Sequence, residues 1–214
     1  MQERHQGYRA VAWAAGTATV RAMPAALDSL TSTIRGRRTV KAFTGAPIAS
    51  DVLSQCLDLA RWAPNHRLHQ PWRFAVLDQA AIARLALFLR SRDDIAAVPD
   101  AIKGPAKLAK LLDHLPSLGA IIQVTWVRDA DPTIDLEDHA AAAAAVEHIL
   151  LGVHAAGLGG FWSSSAALAH PETLRWCGCD VQREAFLGSL WLGHPQHIPE
   201  PSPRRPLSEV ARWL

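Results

Sequence analysis

Apolar positions recur at helical spacing in some stretches of this chain and run almost unbroken in others. Val52, Leu53, Cys56, Leu57 and Ala60 fall three and four residues apart, which predicts a helix opened by Ser50 and stopped before Pro64. A shorter helix is expected ahead of it, capped by Asp28 or Ser29, running to Ile34 and closed by Gly36. After the Pro71-Trp72 corner, residues 74–77 read as a strand and the Leu- and Ala-rich residues 80–89 as a helix. Residues 91–100 are polar and contain Pro99, so a loop is expected there, followed by helix over about 101–112. Residues 120–127 are nearly continuous in apolar side chains, as in an interior strand.

The longest helix is expected over about residues 134–156. Asp135, Glu137 and Asp138 lie in its first turns, at the positive end of its dipole. Its alanine run, 140–145, suits both helix propensity and close approach of a neighbouring helix. Gly157, Gly159 and Gly160 end it and lead into Phe161-Trp162-Ser163. A short helix over 171–176 and a core strand over 185–192, closed by Gly193, precede an extended, proline-rich tail and a final helical turn. Strands are few and scattered among helices, and there is no internal repeat. The pattern is that of a single α+β domain rather than a regular βαβ array.

Composition narrows the classes. At 49% hydrophobic and 20% charged, 214 residues suffice for one packed core. The net charge of +2 and basic residues grouped only in pairs, Arg37-Arg38 and Arg204-Arg205, argue against a nucleic-acid partner. No stretch has the ~20 strongly apolar residues of a membrane span. The three cysteines form neither a zinc pattern nor a disulfide framework, so a reducing compartment, the cytoplasm, is expected. Residues 1–26, with Arg4 and Arg9 ahead of an Ala/Gly/Thr-rich run, are expected to be an N-terminal arm that need not be ordered, rather than a signal peptide, with the domain proper over 27–214.

Three segments carry chemistry. Arg37-Arg38-Thr39-Val40-Lys41 is a cationic turn able to clamp a phosphate through bidentate, charge-assisted bonds, although an isolated Arg pair also suits a solvated surface. Between two prolines, Asn65-His66-Arg67-Leu68-His69-Gln70 forms a rigid polar loop; His66 and His69 lack a third metal ligand. Gly157-Leu158-Gly159-Gly160-Phe161-Trp162-Ser163-Ser164-Ser165 joins a tight helix end to a stretch whose backbone can lie against a flat ligand, without the dinucleotide fingerprint.

Taken in order, the Arg-Arg-Thr turn, the Ala-Pro-x-His…Gln-Pro-Trp-x-Phe loop, the late Gly-Leu-Gly-Gly-x-Trp and the Leu190-Trp191-Leu192-Gly193-His194-Pro195 exit resemble the flavin-dependent nitroreductase family. The Ala-Pro-Asn-His-Arg form is most similar to its smaller, YdjA-like NAD(P)H nitroreductase branch. The resemblance implies an α+β, nitroreductase-like fold with a central, mostly antiparallel sheet flanked by helices, in an intertwined homodimer. It implies FMN at the subunit interface, NADH or NADPH as co-substrate and a small-molecule acceptor, nitroaromatic or quinone-like. By match of motif, Arg37, Arg38 and Thr39 take the phosphate end of the flavin, Lys41 its pyrimidine end, and His66 reaches it from the partner chain. Trp162, Ser163 and Ser164 line the same site, and Arg205 is a further phosphate contact. Gly152, Val153, His154, Ala155, Ala156 and Gly157 match the stretch assigned to the nicotinamide nucleotide. A backbone N–H from Gly159 or Gly160 is expected to meet the flavin ring.

The flavin carries the hydride, so no catalytic side chain and no metal are expected, and the kinetics should be ping-pong. Leu68 and Trp62 stand where relatives carry polar contacts, Asn and Arg. Dehalogenase or dehydrogenase chemistry on the same fold, a flavin-binding protein without turnover, and a cofactor-free helical module are the alternatives that the sequence leaves open.

Overall fold

The computed structural model describes residues 24–214, so the expected N-terminal arm lies outside the described residues apart from its end. Among the described residues four strands, β1 (Trp72–Leu77), β2 (Ala120–Val127), β3 (Gly159–Ser163) and β4 (Glu184–Gly193), form one sheet in the order β1-β2-β4-β3. Every neighbouring pair is antiparallel.

Helices surround the sheet: α1 (Ala25–Gly36), α2 (Ser50–Ala60), α3 (Gln79–Arg90), α4 (Asp93–Ala96), α5 (Gly104–His114), α6 (Pro132–Ala155), α7 (Ala166–Ala169) and α8 (Pro171–Trp176). Strand alternation sorts the core into two layers. Ile122, Val124, Leu190 and Leu192 face α2 and α6, together with Leu53, Cys56 and Val146. Ile121 and Trp191 face the opposite way, toward α3, α4 and α5, with Leu85, Leu89 and Ile95. Each fully buried aliphatic side chain of this kind contributes about 1.5–3 kcal/mol.

Helix α6 is the axis of the first layer. Asp131 caps it by accepting from the Thr133 N–H at 2.8 Å, so it starts at Pro132, two residues earlier than the apolar pattern suggests. Asp135 is consequently not a simple dipole partner. It accepts from Arg128 Nε at 2.7 Å and Trp126 Nε1 at 3.1 Å, and the Arg128 bond above all holds its carboxyl at a pKa of about 2. Ala141, Ala142 and Ala145 are buried against Leu53, Cys56 and Ala60, so the alanine run permits close packing on α2 and the sheet.

Other boundaries also differ from the sequence pattern. Helix α1 begins at Ala25, before the expected caps, and Ala49 rather than Ser50 caps α2. The expected loop 91–100 contains α4, because Ile95 is apolar enough to be drawn fully into the core. Strand β1 starts at Trp72, which pairs with Trp126.

The two sides of β4 are built differently. Beyond β3, residues 39–43 run along the outer edge of the sheet: Val40 N–H donates to Gly160 O at 3.1 Å, and Phe43 bridges Pro195. Toward β2, β4 carries one residue more than its partner between Val124 and Thr125, and Leu187 is the bulged residue.

Candidate functional site

The cationic turn is held by packing on both sides. Phe43 is buried where β4 ends; a Cβ on Gly193 would stand 2.9 Å from its ring. Val40 is buried against Gly159, where a Cβ would meet Val40 Cβ at 2.8 Å. A Cβ on Gly160 would meet Leu150 at 2.8 Å. Both glycines are therefore buried packing positions inside the sheet, paired to β4 and beside Val40. The first exposed residue after the strand is Ser164.

Arg37 and Arg38 leave the end of α1 side by side and border a small recess with His154, Gly160 and Ile198. Arg38 Nη1 donates to the carbonyls of Arg35 and Arg37 at 2.6 and 2.7 Å, which fixes its guanidinium against the turn. Arg37 Nε is buried without a hydrogen-bond partner among the described residues; Glu147 Oε1 lies 3.4 Å away. Glu147 offsets one of the two guanidinium charges, so the recess keeps a net positive charge. Thr39 is exposed beside it. The residues present fit a phosphate group.

His154 completes the recess. Burial, then the charges of Arg37 and Arg38, lower its pKa below the ordinary histidine value. Of the stretch matched to a nicotinamide nucleotide, Val153 is fully buried and Gly152 packs on α2, with Leu59 Cδ1 2.7 Å from a Cβ position. Ala155, Ala156 and Gly157 are exposed.

Trp162 rests on the bulge of β4. Its Nε1 donates to Leu187 O at 3.3 Å, and a Cβ on Gly188 would overlap the indole nitrogen. The bulge thus fixes a half-exposed indole beside the buried Ser163. Lys41 lies 4.9 Å above the Phe161 ring, which meets Trp191 edge-on at 5.5 Å. Ser164 borders a pocket of about 520 Å³ with Trp191 and α5.

His66 lies on a separate loop. Arg67, Leu68 and Gln70 there hold positive φ of 48°, 56° and 47°, a costly conformation for residues with side chains. Asn65 holds the loop by accepting from Gln70 N–H at 2.9 Å and donating to Ala63 O at 3.0 Å. His69 Nδ1 lies 3.2 Å from the buried Asp138 carboxylate, and His66 Nδ1 lies 3.7 Å from Glu137. Leu68 and Trp62 are exposed at 74% and 78%, so both project from the subunit. Arg205 is exposed in the tail, beyond Ile198.

The apolar patterns point past several residues. Asp138 is legible in the sequence only as a helix-start acid, and Gln123 only as one polar position in an apolar strand. Gln123 is fully buried, accepts from Ser189 Oγ and donates to Leu168 O at 3.1 Å, tying α7 to the sheet just after Ser164. The free thiols Cys177 and Cys179 are pushed by burial to about 12 and about 11, so both stay protonated.

An antiparallel sheet between helical layers, with an Arg-lined recess at one edge, defines an α+β protein. The chain belongs to the Nitroreductase family, whose model matches residues 34–194. Bacillus subtilis YfhC, to which NAD(P)H nitroreductase activity is ascribed, is 28% identical over 182 residues, covering 82% of this chain and 89% of that protein. Escherichia coli YdjA, ascribed the same activity, is 27% identical over 184 residues, 83% and 97% of the two chains. Among solved structures, a nitroreductase-like protein from Bacillus cereus superposes with a TM-score of 0.75 at 25% identity, covering 86% of this chain and 95% of that one. A nitroreductase-type protein from Desulfovibrio desulfuricans, in complex with FMN, gives 0.67 at 26% identity over 85% and 94%.

Proposed function

We propose that this chain binds FMN at the interface of a homodimer and, with NADH or NADPH as donor, reduces a small oxidised acceptor of nitroaromatic or quinone type. The observation that carries the reading is the pair of guanidinium groups, Arg37 and Arg38, at one recess with His154; the buried Arg37 Nε is ion-paired with Glu147 at 3.4 Å but makes no hydrogen bond. The FMN held by the Desulfovibrio relative supports it.

Bound flavin supplies the hydride relay between nicotinamide and acceptor. The protein's residues bind and orient it. Arg37, Arg38 and Thr39 hold the phosphate, with Arg205 reaching in from the tail. Lys41 sets a fixed positive charge near the pyrimidine end, Trp162, Ser163 and Ser164 line the ring, and His66 approaches from the partner. For the nicotinamide nucleotide we retain His154, Ala155, Ala156 and Gly157, since Gly152 and Val153 face α2 and the core. Donor and acceptor take the same open face in turn, which gives ping-pong kinetics.

The homodimer is supported by apolar surface that one subunit leaves uncovered. Helix α1 buries none of its residues and exposes Leu27, Leu30 and Ile34, while Trp62, Leu68 and Trp213 project elsewhere. Apolar surface of this extent marks an interaction face. Free cysteines support a reducing compartment, the cytoplasm.

The absorption spectrum of the purified protein is the direct test. Flavin bands that bleach on NAD(P)H and return on adding a nitroaromatic are expected; a protein that neither carries nor takes up FMN overturns the reading.

A further inference from the structure

The pocket beside Ser164 has a chemistry of its own. Its walls are apolar where Val98, Pro99, Leu111 and Trp191 meet. Its charged lining consists of Lys107 and Lys110, three residues apart on α5 and so on one face of that helix. Among the described residues no carboxylate lines it, and neither lysine has an ion-pair partner.

Two ring systems, Trp191 and His114, meet in the wall. Trp191 is 8% exposed, and its indole Nε1 finds no hydrogen-bond partner among the described residues. His114 Nε2, on a ring 5.4 Å from that of Trp191, finds none either. The volume of about 520 Å³ suits a small molecule. Phe161 joins this wall to Lys41: Lys41 lies over its ring and Trp191 packs on its edge.

The geometry points to a flat aromatic acceptor bearing a carboxylate, its ring against Trp191 and Leu111 and its anionic end toward Lys107 and Lys110. This deepens the proposed reductase reading and rests on it. Apolar walls with two unpaired ammonium groups select an amphipathic anion over a neutral ring, because the ring gains burial while the carboxylate keeps charged partners. The anion chemistry has two further sources in such a protein, the phosphates of the nicotinamide nucleotide and of the flavin, and the test separates them.

The test compares the holoprotein with its Lys107→Ala/Lys110→Ala variant, both substitutions being at exposed positions. Calorimetric titration with benzoate and with benzamide reads binding without turnover. Benzoate is expected to bind at least tenfold more tightly than benzamide to the parent, and to lose that advantage in the variant and in high salt. In steady state, KM for 4-nitrobenzoate should rise at least tenfold in the variant, with KM for 4-nitrobenzamide and for NAD(P)H unchanged. Equal affinity of the parent for benzoate and benzamide overturns the assignment. So does a rise confined to the KM of NAD(P)H, or loss of flavin colour in the variant, since the lysines then serve the nucleotide or the cofactor. A parent that turns over neither nitro compound but binds benzoate selectively defeats the reductase reading and leaves the anion pocket standing.

Discussion

Nε2 of His154 stands 2.7 Å from the point where a Cβ on Gly36 would lie, so α1 ends on glycine because α6 presents an imidazole there. That contact places His154 beside Arg37 and Arg38, where burial and then the two guanidinium charges lower its pKa. Neutral His154 leaves the recess with two cations; protonated, it would add a third.

The first prediction is a pH dependence. The unfolded chain's histidine titrates near ~6.5, and His154 in the folded protein titrates lower. Its contribution to stability is thus complete above about 6.5 and is lost as pH falls from there through the folded value. Flavin-free protein should lose denaturant resistance between about pH 7 and 5 more steeply than His154→Gln. Bound FMN should move the His154 imidazole resonance titration upward, since a phosphate dianion offsets the guanidinium charges. Parallel slopes for the two proteins, or an unmoved titration, would place His154 away from the phosphate.

Arg37→Ala removes one of the two guanidinium groups at the recess, together with its ion pair to Glu147. Loss of a charge-assisted bond costs about 1.5–3 kcal/mol, or roughly 10- to 150-fold in Kd. The variant should be purified pale and regain its colour only at raised FMN, with its melting temperature little changed. Full occupancy at parent affinity rejects the phosphate assignment.

Gly159→Ala and Gly157→Ala separate packing from backbone effects. The first drives a methyl into Val40, which carries the cationic turn, so about 1–3 kcal/mol of stability and some FMN affinity should go together. At Gly157, φ is 75° and no atom lies within 4 Å of a Cβ, so Ala should cost about 1–2 kcal/mol with FMN affinity intact. Thermal melts paired with flavin titrations check both, and flavin loss in the second variant alone would reverse the argument.

The dimer is tested at α1. Ile34→Glu puts a carboxylate on its exposed apolar face. Light scattering should then report monomer where the parent is dimer, with flavin released alongside. A parent that is monomeric at micromolar concentration yet retains FMN contradicts the interfacial site.

Much of the fold is legible in the sequence because period and punctuation agree. The α8 boundaries follow from Pro171 and its apolar turn, and β2 from its unbroken apolar run. Boundaries shift where tertiary partners override local preference: α6 extends back to an Asp131 cap, and Ile95 pulls a helical turn out of a polar stretch. The Arg-lined recess is readable because Arg37 and Arg38 are adjacent in sequence. The pocket beside Ser164 is not. Its lining comes from α4–α5, from the end of β3 and from β4, and only folding brings Lys107, Ser164 and Trp191 together. The packing role of the β3 glycines is hidden for a related reason: a Gly-Gly pair shows that bulk is excluded, and only the fold shows that Val40 and Leu150 exclude it.

Strand β3 ends the sheet order, and the residues beside its outer edge are those that come after Arg37 and Arg38. Natural sheets avoid open edges because an unpaired strand recruits another chain. Here the cover is a short segment whose anchor is the proposed cofactor's own binding turn. The packing of Val40 and Phe43 that holds the turn therefore also closes an edge at which another chain could otherwise add a strand.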